Sequence, residues 1–78
     1  MKNLEITKKC EDALKYKDIN LNYEWLKRNN FIKLEVREEF NVTTLKREIV
    51  EVIITDVNNN KIILTDSNID DFINNSNI

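Results

Sequence analysis

From Phe31 to Val42 the chain alternates between apolar and polar positions. Ile32, Leu34, Val36, Phe40 and Val42 take the even numbers, and Lys33, Glu35, Arg37, Glu39 and Asn41 the odd ones. Successive side chains of a strand point to opposite faces, so this pattern predicts a strand with one buried face. Glu38 interrupts the apolar side and predicts a bulge or turn; the alternative is a charge near the core that needs a partner. Residues 47–57 carry Ile49, Val50, Val52, Ile53, Ile54 and Val57. Such dense β-branching predicts a central strand, apolar on both faces. A helix over 44–54 is the alternative, because Leu45, Ile49, Val52 and Ile53 also keep helical spacing. Asn58-Asn59-Asn60 then leads into a short strand, Lys61 to Thr65, as the second arm of a hairpin.

The flanks read as helices. Over residues 4–16, Ile6, Cys10, Ala13 and Leu14 share one face, with Lys8, Lys9, Glu11, Asp12 and Lys15 mostly off it. A shorter helix over about 21–29 follows the break at Lys17-Asp18-Ile19-Asn20. Asn20 or Asn22 is its cap, Leu21 and Trp25 face inward with Leu26 as a further inward candidate, and Asn29-Asn30 closes it. Ser67 reads as the cap of a last helix, with Asp70 and Asp71 in its first turn and Ile69, Phe72 and Ile73 docking it. Asn74 to Ile78 is polar enough to fray. No linker or repeat divides the chain, so residues 1–78 read as one domain. The expected fold is α+β, in the order ααβββα: a three-stranded antiparallel meander with helices packed on one face and a polar face opposite.

Composition narrows the chemistry. The 78 residues include no histidine, no glycine and no proline. Without imidazole there is no common general base or zinc ligand, and without glycine no phosphate-cradling loop. Turns must be built from polar residues, and the chain supplies thirteen Asn, the non-glycine residue that best tolerates positive φ. Cys10 is the single cysteine; it rules out an internal disulfide and reads as a small buried hydrophobe. Glu38 with Glu39, or Asp66 with Asp70 and Asp71, are the available carboxylate groupings, but a chain this small rarely forms the cleft that acid–base catalysis needs. Asp56, Asn58 and Asn60 match the first positions of a calcium loop. Lys61 and Ser67 then stand where that loop requires glycine and glutamate, so an Asn-built turn is expected. The expectation is a protein that is not an enzyme and uses no cofactor and no metal.

Charge suggests partners. Net charge is −2, with eight basic against five acidic residues up to position 33 and four against nine beyond it. Such segregation can orient a docking partner. The polar sheet face, with Glu35, Arg37 and Glu39, and the acidic positions Asp56, Asp66, Asp70 and Asp71 are the expected protein-binding residues. The alternative is a nucleic-acid-binding regulator using Lys8, Lys9, Lys15, Lys27 and Arg28, with Lys17 and the aromatics Tyr16, Tyr23 and Trp25 nearby. The pI of about 5.1 runs against it. A homo-oligomer is a third reading. No stretch approaches the roughly 20 apolar residues that cross a bilayer, and Met1 to Cys10 lacks the apolar run of a secretory signal. The expected location is the cytoplasm.

The stretch Glu51-Val52-Ile53-Ile54-Thr55-Asp56-Val57-Asn58-Asn59-Asn60-Lys61-Ile62-Ile63-Leu64-Thr65-Asp66-Ser67, with the helical N-terminus before it, resembles the hairpin and acidic helix of small phage-encoded anti-CRISPR proteins of an acidic, Cas9-blocking type. The resemblance implies a non-enzymatic inhibitor that occupies a surface its target needs for nucleic acid. It assigns Asp56, Asp66, Asp70 and Asp71 as contacts to Lys or Arg on that target.

Overall fold

The computed structural model describes residues 4–76. Among these, β1 (Glu5–Ile6) leads into α1 (Lys8–Tyr16) and α2 (Tyr23–Arg28), followed by β2 (Phe31–Asn41), β3 (Lys46–Asp56), β4 (Lys61–Leu64) and α3 (Ile69–Ser76). The sheet order is β1-β2-β3-β4, with β1 parallel to β2 and the other pairs antiparallel. The α+β class and the β2–β4 meander are as expected. The fourth strand is not, and it makes the sheet mixed. Ile6 keeps helical spacing with Cys10 and Ala13, which is why residues 4–16 read as one helix. Thr7, however, is extended at φ −65 and ψ 146. Its hydroxyl accepts the Cys10 N–H at 3.2 Å, so the helix starts at Lys8. Ahead of that cap the chain pairs with Lys33 and Leu34.

β3 is the central strand, and the helical alternative over 44–54 does not form. Pairing on two sides and a β-branched sequence override a spacing that suited either structure. Arg37 pairs with Glu51 and Glu38 with Ile49, so Val50 is the surplus residue of a bulge. The irregularity at Glu38 is thus real, but the extra residue sits on the partner strand. Glu38 itself stays on the helix side, half-buried beside α1.

The core lies between the helices and one sheet face. Leu34, Val52, Ile54 and Leu64 meet Cys10, Leu14, Leu21 and Leu26, all buried, with Phe72 and Ile73 of α3 packed against them. Trp25 stacks on Phe31 with ring centroids 6.0 Å apart and meets Phe72 edge-on at 5.6 Å, so it ties α2, β2 and α3 together. Asn22 caps α2 by accepting the Trp25 N–H at 3.0 Å. The Asn22 side-chain amide also donates to the Ser76 carbonyl at 3.0 Å. The expected fraying from Asn74 therefore does not hold for the described part: α3 runs to Ser76, which is buried, and residues 77 and 78 lie outside the described residues. Ser67 lies in the turn before α3, its hydroxyl 2.8 Å from Thr65 Oγ1. Asn68 straps that turn, accepting the Thr65 N–H at 2.6 Å and donating to the Ile63 carbonyl at 3.1 Å.

Four described residues adopt positive φ: Asp18, Asn30, Leu45 and Asn59. Three are the Asn or Asp expected of a glycine-free chain. Leu45, at φ 56, is the exception.

The molecule measures 43 × 22 × 20 Å. β1 borders β2 only at Lys33 and Leu34, and β4 borders β3 only from Val52 to Thr55. Beyond those limits β2 and β3 continue alone as a two-stranded arm. At about 3.3 Å per residue, the eleven residues of β2 account for most of the long dimension.

Candidate functional site

Three surfaces carry the side chains that could act on a partner. The first is the tip of the arm. Phe40 and Val42 follow the alternation of the buried face, yet they are 58% and 77% exposed, because no helix reaches that far along the strand. Leu45, across the loop, is 74% exposed. Asn41 fixes the loop from within: its side-chain oxygen accepts the Thr43 and Thr44 N–H groups at 2.9 and 3.3 Å, and its carbonyl accepts the Leu45 N–H at 2.8 Å. The tip therefore presents apolar side chains from a preformed turn. A left-handed leucine costs about 1 kcal/mol or more, and exposure leaves that strain without compensating packing.

The second surface is a groove of about 740 Å³ between α1 and the helix-facing side of the arm. It is lined by Lys8, Lys9, Asp12, Ala13, Tyr16, Lys17, Glu38, Arg47 and Ile49. The hairpin register makes it, pairing Glu38 with Ile49 and Phe40 with Arg47. Lys8 is bound to Asp12 at 3.2 Å within α1. Lys9, Lys17, Arg47 and Glu38 form no ion pair with another described residue. Tyr16 stands 79% exposed at the groove wall.

The third surface is the sheet face turned away from the helices. There Arg37 donates to Glu39 at 2.6 Å and to Glu51 at 3.1 Å, and Lys33 lies 3.7 Å from Glu35. The hydrogen bonds to the Glu51 and Glu39 carboxylates push the Arg37 guanidinium pKa up, against the opposing effect of desolvation. This face brings Glu35, Arg37 and Glu39 together as expected, but engages them in ion pairs, Glu35 with Lys33 and Arg37 with Glu39 and Glu51.

The acidic positions divide. The Asp56 carboxylate accepts the Asn58 and Asn60 N–H groups, both at 2.9 Å, and the Asn60 side chain at 3.3 Å. Those bonds, the Asn60 N–H foremost, hold its pKa below the usual carboxylate value. Its oxygens thus build the β3–β4 turn. Asp66, Asp70 and Asp71 are exposed at the start of α3, at the other end of β4. The basic positions divide as well. Lys8 and Lys9 join the groove, whereas Lys15 lies on another side of α1, held by Glu11 at 3.2 Å, and Lys27 is paired with Glu24 on α2 at 3.6 Å. Trp25 is committed to the core edge.

Cys10 is fully buried, and burial, with the nearby Glu35 charge adding to it, pushes its thiol up to about 11. A thiol so placed is protonated and shielded, a poor nucleophile. No grouping of metal-ligating side chains occurs among the described residues, and no helix among them is long and apolar enough to cross a membrane.

Sequence reasoning missed Arg47 and the arm tip. Nothing local marks Arg47; it joins the groove only through the hairpin register. Alternation did mark the side on which Phe40 and Val42 fall, but not the depth of cover above them. Comparison with known proteins gives no match to this chain among family models, curated proteins or solved structures.

Proposed function

We propose that this chain is a non-enzymatic protein-binding module of the cytoplasm, an inhibitor or adaptor that works by occupying a partner's surface with the tip of its β2–β3 arm. The observation that carries this reading is Leu45, an exposed leucine held at φ 56 beside exposed Phe40 and Val42. Strain and apolar exposure at one tip both oppose stability, and such combinations concentrate where a partner binds. The turn bonds of Asn41 lower the ordering cost of docking. Contact in place of catalysis agrees with a chain that lacks histidine and glycine and buries its one thiol.

The test is affinity capture from cytosol of the source organism, with the wild-type chain and with a Phe40→Ser, Val42→Ser, Leu45→Asn variant. The expected result is a stoichiometric protein retained by the first and lost by the second, with unchanged circular dichroism. Identical capture profiles would refute the arm as the docking element. The anti-defence role implied by the resemblance is a narrower part of the proposal, supported by the exposed Asp66, Asp70 and Asp71. Undiminished DNA cleavage by guide-loaded Cas9 in excess of this chain removes that part and leaves the docking reading standing.

A further inference from the structure

The groove and the acidic first turn of α3 are neighbours. Lys17 and Ile49 line the groove and also a cleft of about 30 Å³ whose other walls include Ile19, Val50, Asp66 and Ile69. One continuous face therefore runs from Lys9 and Arg47, across Lys17 and Ile49, to Asp66, with Asp70 exposed one residue past Ile69. Its ends carry opposite charge. Lys9, Lys17 and Arg47 form no ion pair with another described residue, nor do Asp66, Asp70 and Asp71. The ground between them is apolar and only half covered, made of Ile19, Ile49, Val50 and Ile69.

We infer that this face is a twofold interface occupied by a second copy of the chain, the basic groove of each copy receiving the acidic turn of α3 of the other. A twofold contact buries the same patch on both copies and so requires a self-complementary surface. A patch basic at one end, acidic at the other and apolar between meets that requirement when the axis passes through the apolar ground of Ile49 and Ile69. Nucleic acid suits only the basic end, since Asp66 and Asp70 at the far end of the same face repel phosphate. This inference is independent of the arm tip and is tested without any other protein.

The experiment is sedimentation velocity on the purified full chain from about 5 to about 500 μM, in about 20 mM and about 500 mM salt. The expected result is a dimer at low salt whose dissociation constant weakens at least about tenfold at high salt. Lys9→Glu with Arg47→Glu is expected to sediment as a monomer, and so is Asp66→Lys with Asp70→Lys. An equimolar mixture of the two variants restores a heterodimer, because each reversed end then meets its complement. That rescue also shows that both variants fold, and Lys9→Gln with Arg47→Gln, which weakens the dimer without repulsion, gives a milder check. The inference is overturned by a wild-type chain that stays monomeric throughout, by species that grow beyond the dimer with concentration, or by a dimer that survives both reversals. It is equally overturned by a monomer that binds oligothymidylate through Lys9 and Arg47, which would make the groove a nucleic-acid site.

Discussion

Between Lys33 and Val36, strand β2 has β3 on one edge, β1 on part of the other, and α1 and α2 over its apolar side. From Arg37 onward the same strand keeps only β3 as a sheet neighbour, and α1 lines a groove beside it without covering it. The alternation hardly changes from one half to the other, yet Leu34 is completely buried while Phe40 is largely open to solvent. An apolar side chain at the base stabilises the fold; at the tip, the same kind of side chain is surface. The bulge at Val50 marks the passage between the two regimes, next to Glu38, where charge first enters the helix-facing side. Identical local patterns thus acquire different roles according to how far the rest of the chain can reach.

The sharpest way to break this contrast is to truncate matched positions. Leu34→Ala leaves a cavity under α1 and α2 and is expected to destabilise by about 2–5 kcal/mol. Phe40→Ala, in the same strand and on the same side, is expected to stay within about 0.5 kcal/mol. Urea unfolding monitored by Trp25 fluorescence measures both. Equal losses would mean that the arm is packed after all.

A smaller effect separates base from tip through pH. Cys10 is raised from 9.0 to about 11 by burial and by Glu35, so the native state holds a proton that the unfolded state has released. Stability is then complete below about pH 9 and falls as pH rises toward 11, because the unfolded chain binds fewer protons there. Cys10→Ala is expected to be less stable at neutral pH and to show a shallower alkaline decline, the remainder coming from Tyr23, whose phenol is also held above its ordinary value by burial. Parallel curves for the two proteins would show that the thiol is not as enclosed as its burial implies.

The sequence pattern disclosed the base of the molecule well and the tip poorly, for one physical reason. Periodicity reports which side of a strand a residue takes, and Leu34 and Val36 were assigned to the correct side. Phe31 and not Ile32 packs on the core, because the register shifts between Phe31 and Lys33. Periodicity carries no information on how much chain lies above that side, so Phe40 and Val42 read as core. Asn22, Asn29 and Asn30 were legible as helix ends because a side chain that accepts an N–H, or tolerates positive φ, declares its position locally. β1 was not, because a two-residue strand is defined by its partner and not by its own sequence. The candidate surfaces behave likewise. Glu35, Arg37 and Glu39 were placed together by alternation, whereas the groove needed the pairing of Phe40 with Arg47, which is non-local.

Thr55 offers a finer test of the base. It is buried in the central strand, and its hydroxyl finds no hydrogen-bond partner among the described residues. Replacing an unsatisfied hydroxyl by a methyl removes a desolvation penalty, so Thr55→Val is expected to stabilise by about 1 kcal/mol. A Tm rise of several degrees by calorimetry checks it. A loss of stability would reveal a bridging water at that position.

The smallest effect on stability is the most informative about function, because at the tip stability and binding are expected to move in opposite directions. Leu45 is held at φ 56 and buries little in return, so Leu45→Asn relieves strain without removing packing. It is expected to stabilise by about 0.5–1 kcal/mol. Leu45→Ala keeps the strained backbone and should leave stability nearly unchanged. If the tip is the docking element, both variants lose the captured partner to a similar degree, although one is more stable than the wild type and the other is not. Partner loss that instead followed stability would assign Leu45 to the fold and remove the reason for reading its strain as functional.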